Sequence, residues 1–186
     1  MKFFRKPVVA VIIALVVVWA STLLSFQIRF GDKCQEITDG FIDGVYYNGE
    51  LQPSLASRLT SIIDSVKEIK EIAELSEIDT DDLDEQAEYL ENALRYSAND
   101  ADYVYYCYED LTAELKNVKK DLSSAELAPE LKAKLSSLYS AIQSEEDAFD
   151  TSGYNESVRE FLREYNKFPA NELYWHTNVM MPSYFS

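Results

Sequence analysis

One histidine, two cysteines, five glycines and five prolines among 186 residues leave this chain short of the usual parts of catalytic and metal sites. His176 must serve any imidazole mechanism alone, and it stands beside Trp175 in a stretch without charge. No G-x-S-x-G elbow exists. A di-iron bundle needs Glu-x-x-His on two helices, but Leu173 stands three residues before His176. Cys34 and Cys107 form no C-x-x-C pattern, which excludes a cysteine-held metal. A disulfide between them is permitted outside the cell, yet two free or buried thiols are the expectation. The acidic run Asp79–Glu85 (DTDDLDE) invites a calcium-loop reading. It fails where Leu83, Asp84 and Leu90 occupy the places of Asp or Asn, Gly, and Glu, leaving only loose surface binding of divalent cations. The expectation is therefore a protein that is not an enzyme, with no catalytic, cofactor-binding or metal residue and no cofactor.

Charge is missing altogether from Pro7 to Phe26 (PVVAVIIALVVVWASTLLSF), a run of twenty residues. A bilayer core takes roughly 20 helical residues to cross, and a single segment in lipid must satisfy its own backbone as a helix. Residues 7–28 are therefore expected to be a transmembrane helix in direct contact with the lipid bilayer. Lys2, Arg5 and Lys6 precede it, whereas Arg29 and Lys33 follow with Asp32 between them. That margin favours a cytoplasmic segment 1–6 and an extracytoplasmic body, in a single-pass protein of the cell membrane. Cleavage after Val18-Trp19-Ala20 would make the run a signal peptide, but the apolar residues continue through Leu23, Leu24 and Phe26, which favours an uncleaved anchor. Gly31, Asp32 and Lys33 do not form a lipobox before Cys34.

Basic residues are scarce in the body. All 33 acids follow Phe26 with 14 bases among them, a net charge of −19. Phosphate recognition needs clustered Lys and Arg, so no nucleic acid is expected as a partner, nor is anionic lipid. A solvated helical surface is the plain reading, and attraction of cations or basic partners is the functional one.

Strand-like alternation is absent too, and helical spacing replaces it. Phe30, Cys34, Ile37, Phe41 and Val45 share one helical face, so the membrane helix is expected to continue to about Tyr47. Gly40 and Gly44, one turn apart, would let a neighbouring helix approach. Asn48-Gly49 reads as a stop and turn. A second helix is expected from Pro53, with the seam Leu55, Leu59, Ile62, Val66 and Ile69. Asp79 or Thr80 can cap the next. Leu83 to Leu122 reads as one long helix with a break at Ala98-Asn99-Asp100, and its Tyr103–Tyr108 cluster as core and half-buried rim. The last helix starts at Pro129, shifts register at Thr151-Ser152-Gly153, and stops at Pro169. The expected fold is all-α: a transmembrane helix continuing into an antiparallel four-helix bundle of long helices.

The segment Tyr154–Asn171 (YNESVREFLREYNKFPAN) resembles the C-terminal helix of the LemA family. Tyr154, Asn155, Val158, Phe161, Phe168, Pro169 and Asn171 match its Tyr-Asn pair, its valine and aromatic, and its closing Phe-Pro-x-Asn in spacing. Leu51-Gln52-Pro53-Ser54-Leu55 is similar to the family's Leu-Ile-Pro-Asn-Leu turn, and Pro182-Ser183-Tyr184-Phe185 to its Pro-Tyr-Phe close. The sequence departs in lacking the paired arginines before that turn, and in carrying Glu145, Glu146, Asp147 and Asp150 where the family is basic. The resemblance implies a membrane-anchored helical bundle over residues 29–172 and supplies no reaction. An interaction or scaffold module at the cell envelope is the expected role, with unnamed protein partners and a second copy of the chain as candidates. A sensor bundle binding a small ligand or divalent cation is the alternative. Residues 173–186 form an uncharged aromatic tail, in which Tyr174, Trp175, Tyr184 and Phe185 are candidate membrane-interface residues, with Met180 and Met181 equally suited to the core.

Overall fold

The computed structural model describes residues 7–47 and 49–186. Its helices are α1 Pro7–Asp43, α2 Leu55–Glu74, α3 Asp81–Tyr96, α4 Ala101–Ser124, α5 Pro129–Asp147, α6 Tyr154–Tyr165 and α7 Ala170–Tyr174. The fold is all-α, with one exception to its helical character. Two short strands, β1 Tyr46–Tyr47 and β2 Glu50–Leu51, pair antiparallel around the expected Asn48-Gly49 turn. Asn48 itself, like Lys2, Arg5 and Lys6, lies outside the described residues.

The chain divides into two compact units, the first comprising residues 1–36 and 159–181 and the second 37–158 and 182–186. In the second unit, α2 packs against both α5 and α3, and α3 against α4. The α2 seam is buried as its spacing requires, with Leu59, Ile62, Val66 and Ile69 at 0 or 1% exposure. Ion pairs join the neighbouring helices: Arg58–Glu145 at 2.9 Å, Lys67–Glu91 at 3.0 Å, Lys70–Asp84 at 2.7 Å and Lys134–Glu68 at 2.8 Å. Arg58–Glu145 is partly buried, while the other three, more exposed pairs contribute at most about 1 kcal/mol each, so burial holds the bundle and the charges adjust its register.

Several expected helix limits move. Helix α1 stops at Asp43 rather than at about Tyr47, and the helix expected from Pro129 to Pro169 is divided, α5 ending at Asp147 and α6 running from Tyr154 to Tyr165. Ser54, not Pro53, opens α2: its Oγ accepts the Ser57 N–H at 3.0 Å, the usual serine cap, and Pro53 stands just outside. The expected long third helix is two helices, because Asp100 caps a new start by accepting the Tyr103 N–H at 3.3 Å. The connection between α3 and α4 is short enough for the two to fold against each other.

Gly44 also has a different task from the one its spacing suggests. It lies past the end of α1 at φ +96° and donates its N–H to the Gly40 carbonyl at 3.1 Å. A Cβ there would collide with the Gln52 carbonyl oxygen, so the glycine makes the turn rather than admitting another helix.

In the first unit the outer part of α1 meets the end of α6, α7 and the segment that follows. Phe30, fully buried, touches the rings of Phe161, Tyr165 and Tyr174 at 5.6, 5.1 and 5.5 Å. Earlier in α1, Val8, Val11, Ile12, Leu15, Val16 and Val18 are all more than half exposed. This stretch is long and apolar enough to cross a membrane.

At the end of α2 the Ile78 N–H reaches the Ala73 carbonyl and the Glu77 N–H the Glu74 carbonyl, both at 3.0 Å, a Schellman motif. Its left-handed position is held by Glu77 at φ 58° rather than by glycine. Glu77→Gly should stabilise the fold by about 1 kcal/mol, and Gly44→Ala should destabilise it by at least that much. Urea unfolding followed by circular dichroism measures both, and no gain from Glu77→Gly would contradict the assigned strain.

Candidate functional site

The densest set of specific contacts in the second unit surrounds its closing segment, Pro182–Ser186. Asn155, the second residue of α6, reads both backbone groups of one residue. Its Nδ2 donates to the Phe185 carbonyl at 3.0 Å, and its Oδ1 accepts the Phe185 N–H at 2.9 Å. Tyr154 donates its phenol to the Ser183 carbonyl at 3.0 Å. Ser183 Oγ accepts the Asp102 N–H at 3.0 Å and faces Asp100 Oδ1 at 3.4 Å. The first turn of α4, whose N–H groups lack partners within the helix, is thus capped both by Asp100 and by a serine 81 residues further along.

The Phe185 ring fills the space beneath. It lies 5.1 Å from Tyr105, 5.2 Å from Phe149, 6.0 Å from Phe41 and 6.1 Å from Tyr108, and is 4% exposed. The contacts with Tyr105 and Phe149 are edge-to-face, as quadrupolar rings prefer, and those with Phe41 and Tyr108 are tilted. Tyr108 closes the cluster by donating to Glu146 Oε1 at 2.5 Å. Burial, with that carboxylate second, pushes the Tyr108 phenol well above its ordinary value. Burial also raises Tyr154, with the Asp100 charge adding to it.

Beside this segment opens an acidic cleft of about 670 Å³, lined by Asp100, Asp102, Tyr103, Tyr105, Tyr106, Glu109 and Ser186. Its carboxylates and tyrosine faces suit cations and basic side chains. A smaller cleft of about 130 Å³ lies between α4 and α5. There the Tyr139 phenol oxygen is buried without a hydrogen-bond partner, Lys119 Nζ stands 4.6 Å over its ring, and burial pushes its pKa up to about 12.

The residues singled out by sequence fall in both units. Tyr154, Asn155 and Val158 belong to the second, where Tyr154 and Val158 are buried. Phe161, Phe168, Pro169 and Asn171 belong to the first, where Phe161 is buried and Phe168 is 82% exposed. Pro169 precedes α7, and Asn171 Oδ1 is buried without a partner. Pro53 stands before the α2 cap. The expected tail divides: Tyr174 and a largely exposed Trp175 go with the first unit, Tyr184 and Phe185 with the second. Phe185, a candidate membrane-interface residue by sequence, is a core side chain at 4% exposure. The acidic residues that depart from the family pattern have local uses, Glu145 pairing with Arg58 and Glu146 accepting from Tyr108. Asp81, Asp82 and Asp84 of the DTDDLDE run lie in the first turn of α3, where the helix dipole favours acids. Both cysteines are buried and neither forms a disulfide among the described residues, and burial raises the Cys34 thiol to about 11.

Neither a family model, a curated protein nor a solved structure matches this chain.

Pairing of Tyr154 and Asn155 with residues about thirty positions away had no local signal in the sequence. Phe185→Ala should cost about 3–5 kcal/mol of stability. Asn155→Ala should cost about 1–3 kcal/mol by leaving two buried backbone groups unsatisfied. Urea unfolding checks both, and near-neutral results would show the segment to be an ornament of the fold. The buried phenols add a pH dependence. They stay protonated in the folded chain, whereas unfolded tyrosines ionise near pH ~10, so the folded state binds more protons above that pH and stability falls as pH rises. The melting temperature should drop between neutral and strongly alkaline solution, and Tyr108→Phe should drop less than the parent.

Proposed function

We propose that this chain is a LemA-like, single-pass membrane protein whose helical bundle works outside the cytoplasm as a non-enzymatic interaction or scaffold module of the cell envelope. The observation that carries the reading is α1. One continuous helix exposes apolar side chains from Val8 to Leu24 and then buries Phe30, Cys34, Ile37 and Phe41. Exposed apolar surface of that extent is costly in water and favourable in lipid, whereas the buried end joins the anchor to folded protein. The matched spacing from Tyr154 to Asn171 supports the family, and the use of Tyr154 and Asn155 to hold the closing segment gives that pair a physical purpose. The basic residues before the span support the outward orientation. A surface with 33 acids supports protein partners that present basic groups.

A sensor role is the second reading, favoured by the unpartnered Tyr139 phenol in the cleft between α4 and α5. The two readings differ in solution. A ligand taken between helices raises the melting temperature of the chain alone, whereas a scaffold responds only to a protein partner.

Orientation is tested by replacing both native cysteines with serine, placing one cysteine at the exposed Ser140, and treating intact cells with a membrane-impermeant maleimide. Labelling before lysis is the expected result. Protection until lysis would put the bundle in the cytoplasm and end the envelope reading.

A further inference from the structure

Where the apolar run of α1 ends, the first unit contains a cavity of about 470 Å³. Ser21, Thr22, Ser25 and Arg29 of α1 form one wall, Tyr165 and Leu173 the other, and Phe26 and Phe30 complete it. No carboxylate lines it, in a chain with 33 of them. Arg29 is the first cation after the span and has no ion-pair partner among the described residues. The next cation, Lys33, is already paired with Glu36 at 2.5 Å. Ser21 and Thr22 donate their hydroxyls back to the Val17 and Val18 carbonyls at 2.8 and 2.9 Å. The remaining donors are Arg29, Ser25 and the Tyr165 phenol.

Position supplies the second half of the argument. At about 1.5 Å per residue, a helix entering lipid at Pro7 emerges near Phe26, so Arg29 stands at headgroup level and Ser21 below it. The opposite wall runs alongside the same stretch of α1, from Trp19 to Gly31. The His176 ring meets Trp19 at 5.8 Å, and Val179 lies 3.8 Å from where a Cβ on Gly31 would be, which sets the uncharged segment from Leu173 onward against this part of α1. Trp175 is 79% exposed beside it, a residue type that settles at the membrane interface.

We propose that this cavity binds the phosphodiester of one phospholipid, with Arg29 as its cation and Ser25 and Tyr165 as hydroxyl donors. The strongly negative body repels anionic surfaces at long range, so the selection is for the phosphate, which zwitterionic lipids also carry, and not for net lipid charge. Guanidinium suits the group because it pairs with phosphate through two parallel N–H bonds.

The proposal rests on residues 7–28 crossing a membrane, and the test separates the two. The full chain, purified in detergent, is titrated with dioleoylphosphatidylcholine, with dioleoylglycerol, which lacks the phosphate, and with inorganic phosphate, and is read by native mass spectrometry. One phosphatidylcholine should be retained and dioleoylglycerol should not. Arg29→Gln should weaken retention about tenfold or more, and Arg29→Lys, which keeps the charge but not the paired N–H donors, should restore only part of it, with helical circular dichroism unchanged. Equal retention by Arg29→Gln, equal retention of dioleoylglycerol, or inorganic phosphate binding as tightly as the lipid would overturn the site. In parallel, the chain is reconstituted in phosphatidylcholine vesicles and washed with alkaline carbonate. Release into the wash would overturn the anchor, whereas firm retention with unaltered lipid binding by Arg29→Gln would overturn the headgroup site alone.

Discussion

A single helix, apolar and exposed along its first half and buried on one face along its second, constrains the rest of this chain. The 37 residues of α1 begin with side chains that water disfavours and end with Phe30, Cys34, Ile37 and Phe41 buried against protein. Neither end can be exchanged for the other. The run from Val8 to Leu24 is largely exposed and is long and apolar enough to cross a membrane, and a polar residue at Phe30 or Phe41 opens a hole in a ring cluster. The glycine at position 44 then stops the helix where a side chain has no room. From there the chain turns back through a short hairpin into α2.

Aromatic side chains and a few directed hydrogen bonds close the second unit. Phe185 fills a space walled by Phe41, Tyr105, Tyr108 and Phe149, and Asn155 fixes its backbone from both sides. Ring burial provides most of the energy; the carboxamide selects which residue enters, because only a backbone in one register can meet both of its groups. Ion pairs between α2 and its neighbours follow a similar division of labour. Arg58, Lys67 and Lys70 meet acids of α5 and α3, which relieves repulsion in an acidic bundle without determining its stability.

Legibility in the sequence followed the range of the interaction. The α2 seam and the break at Asp100 rest on local periodicity and capping, and the all-α fold followed from them, whereas the apolar period running on to Val45 hides the end of α1 at Asp43. Proline and serine both suit a helix start, and only the Ser57 N–H distinguishes Ser54 as the cap. The break at Ala98-Asn99-Asp100 is legible but its size is not, because the apolar period resumes in phase after Asp100 although the chain reverses there. Phe185 resembled an interface residue by composition, since an uncharged aromatic stretch looks the same whether lipid or protein covers it. The contacts of Asn155 and Tyr154 with that segment depend on tertiary approach, about which residue spacing carries no information.

Hydrogen exchange on the full chain in phosphatidylcholine vesicles tests the proposed membrane crossing of α1 most directly, because an amide in hydrocarbon has no water to exchange with. Amides from Val8 to Phe26 should stay protected at least as long as those of Ile62 and Val66 in the core of α2. Rapid exchange from Val8 to Phe26, with Ile62 and Val66 still protected, would contradict it.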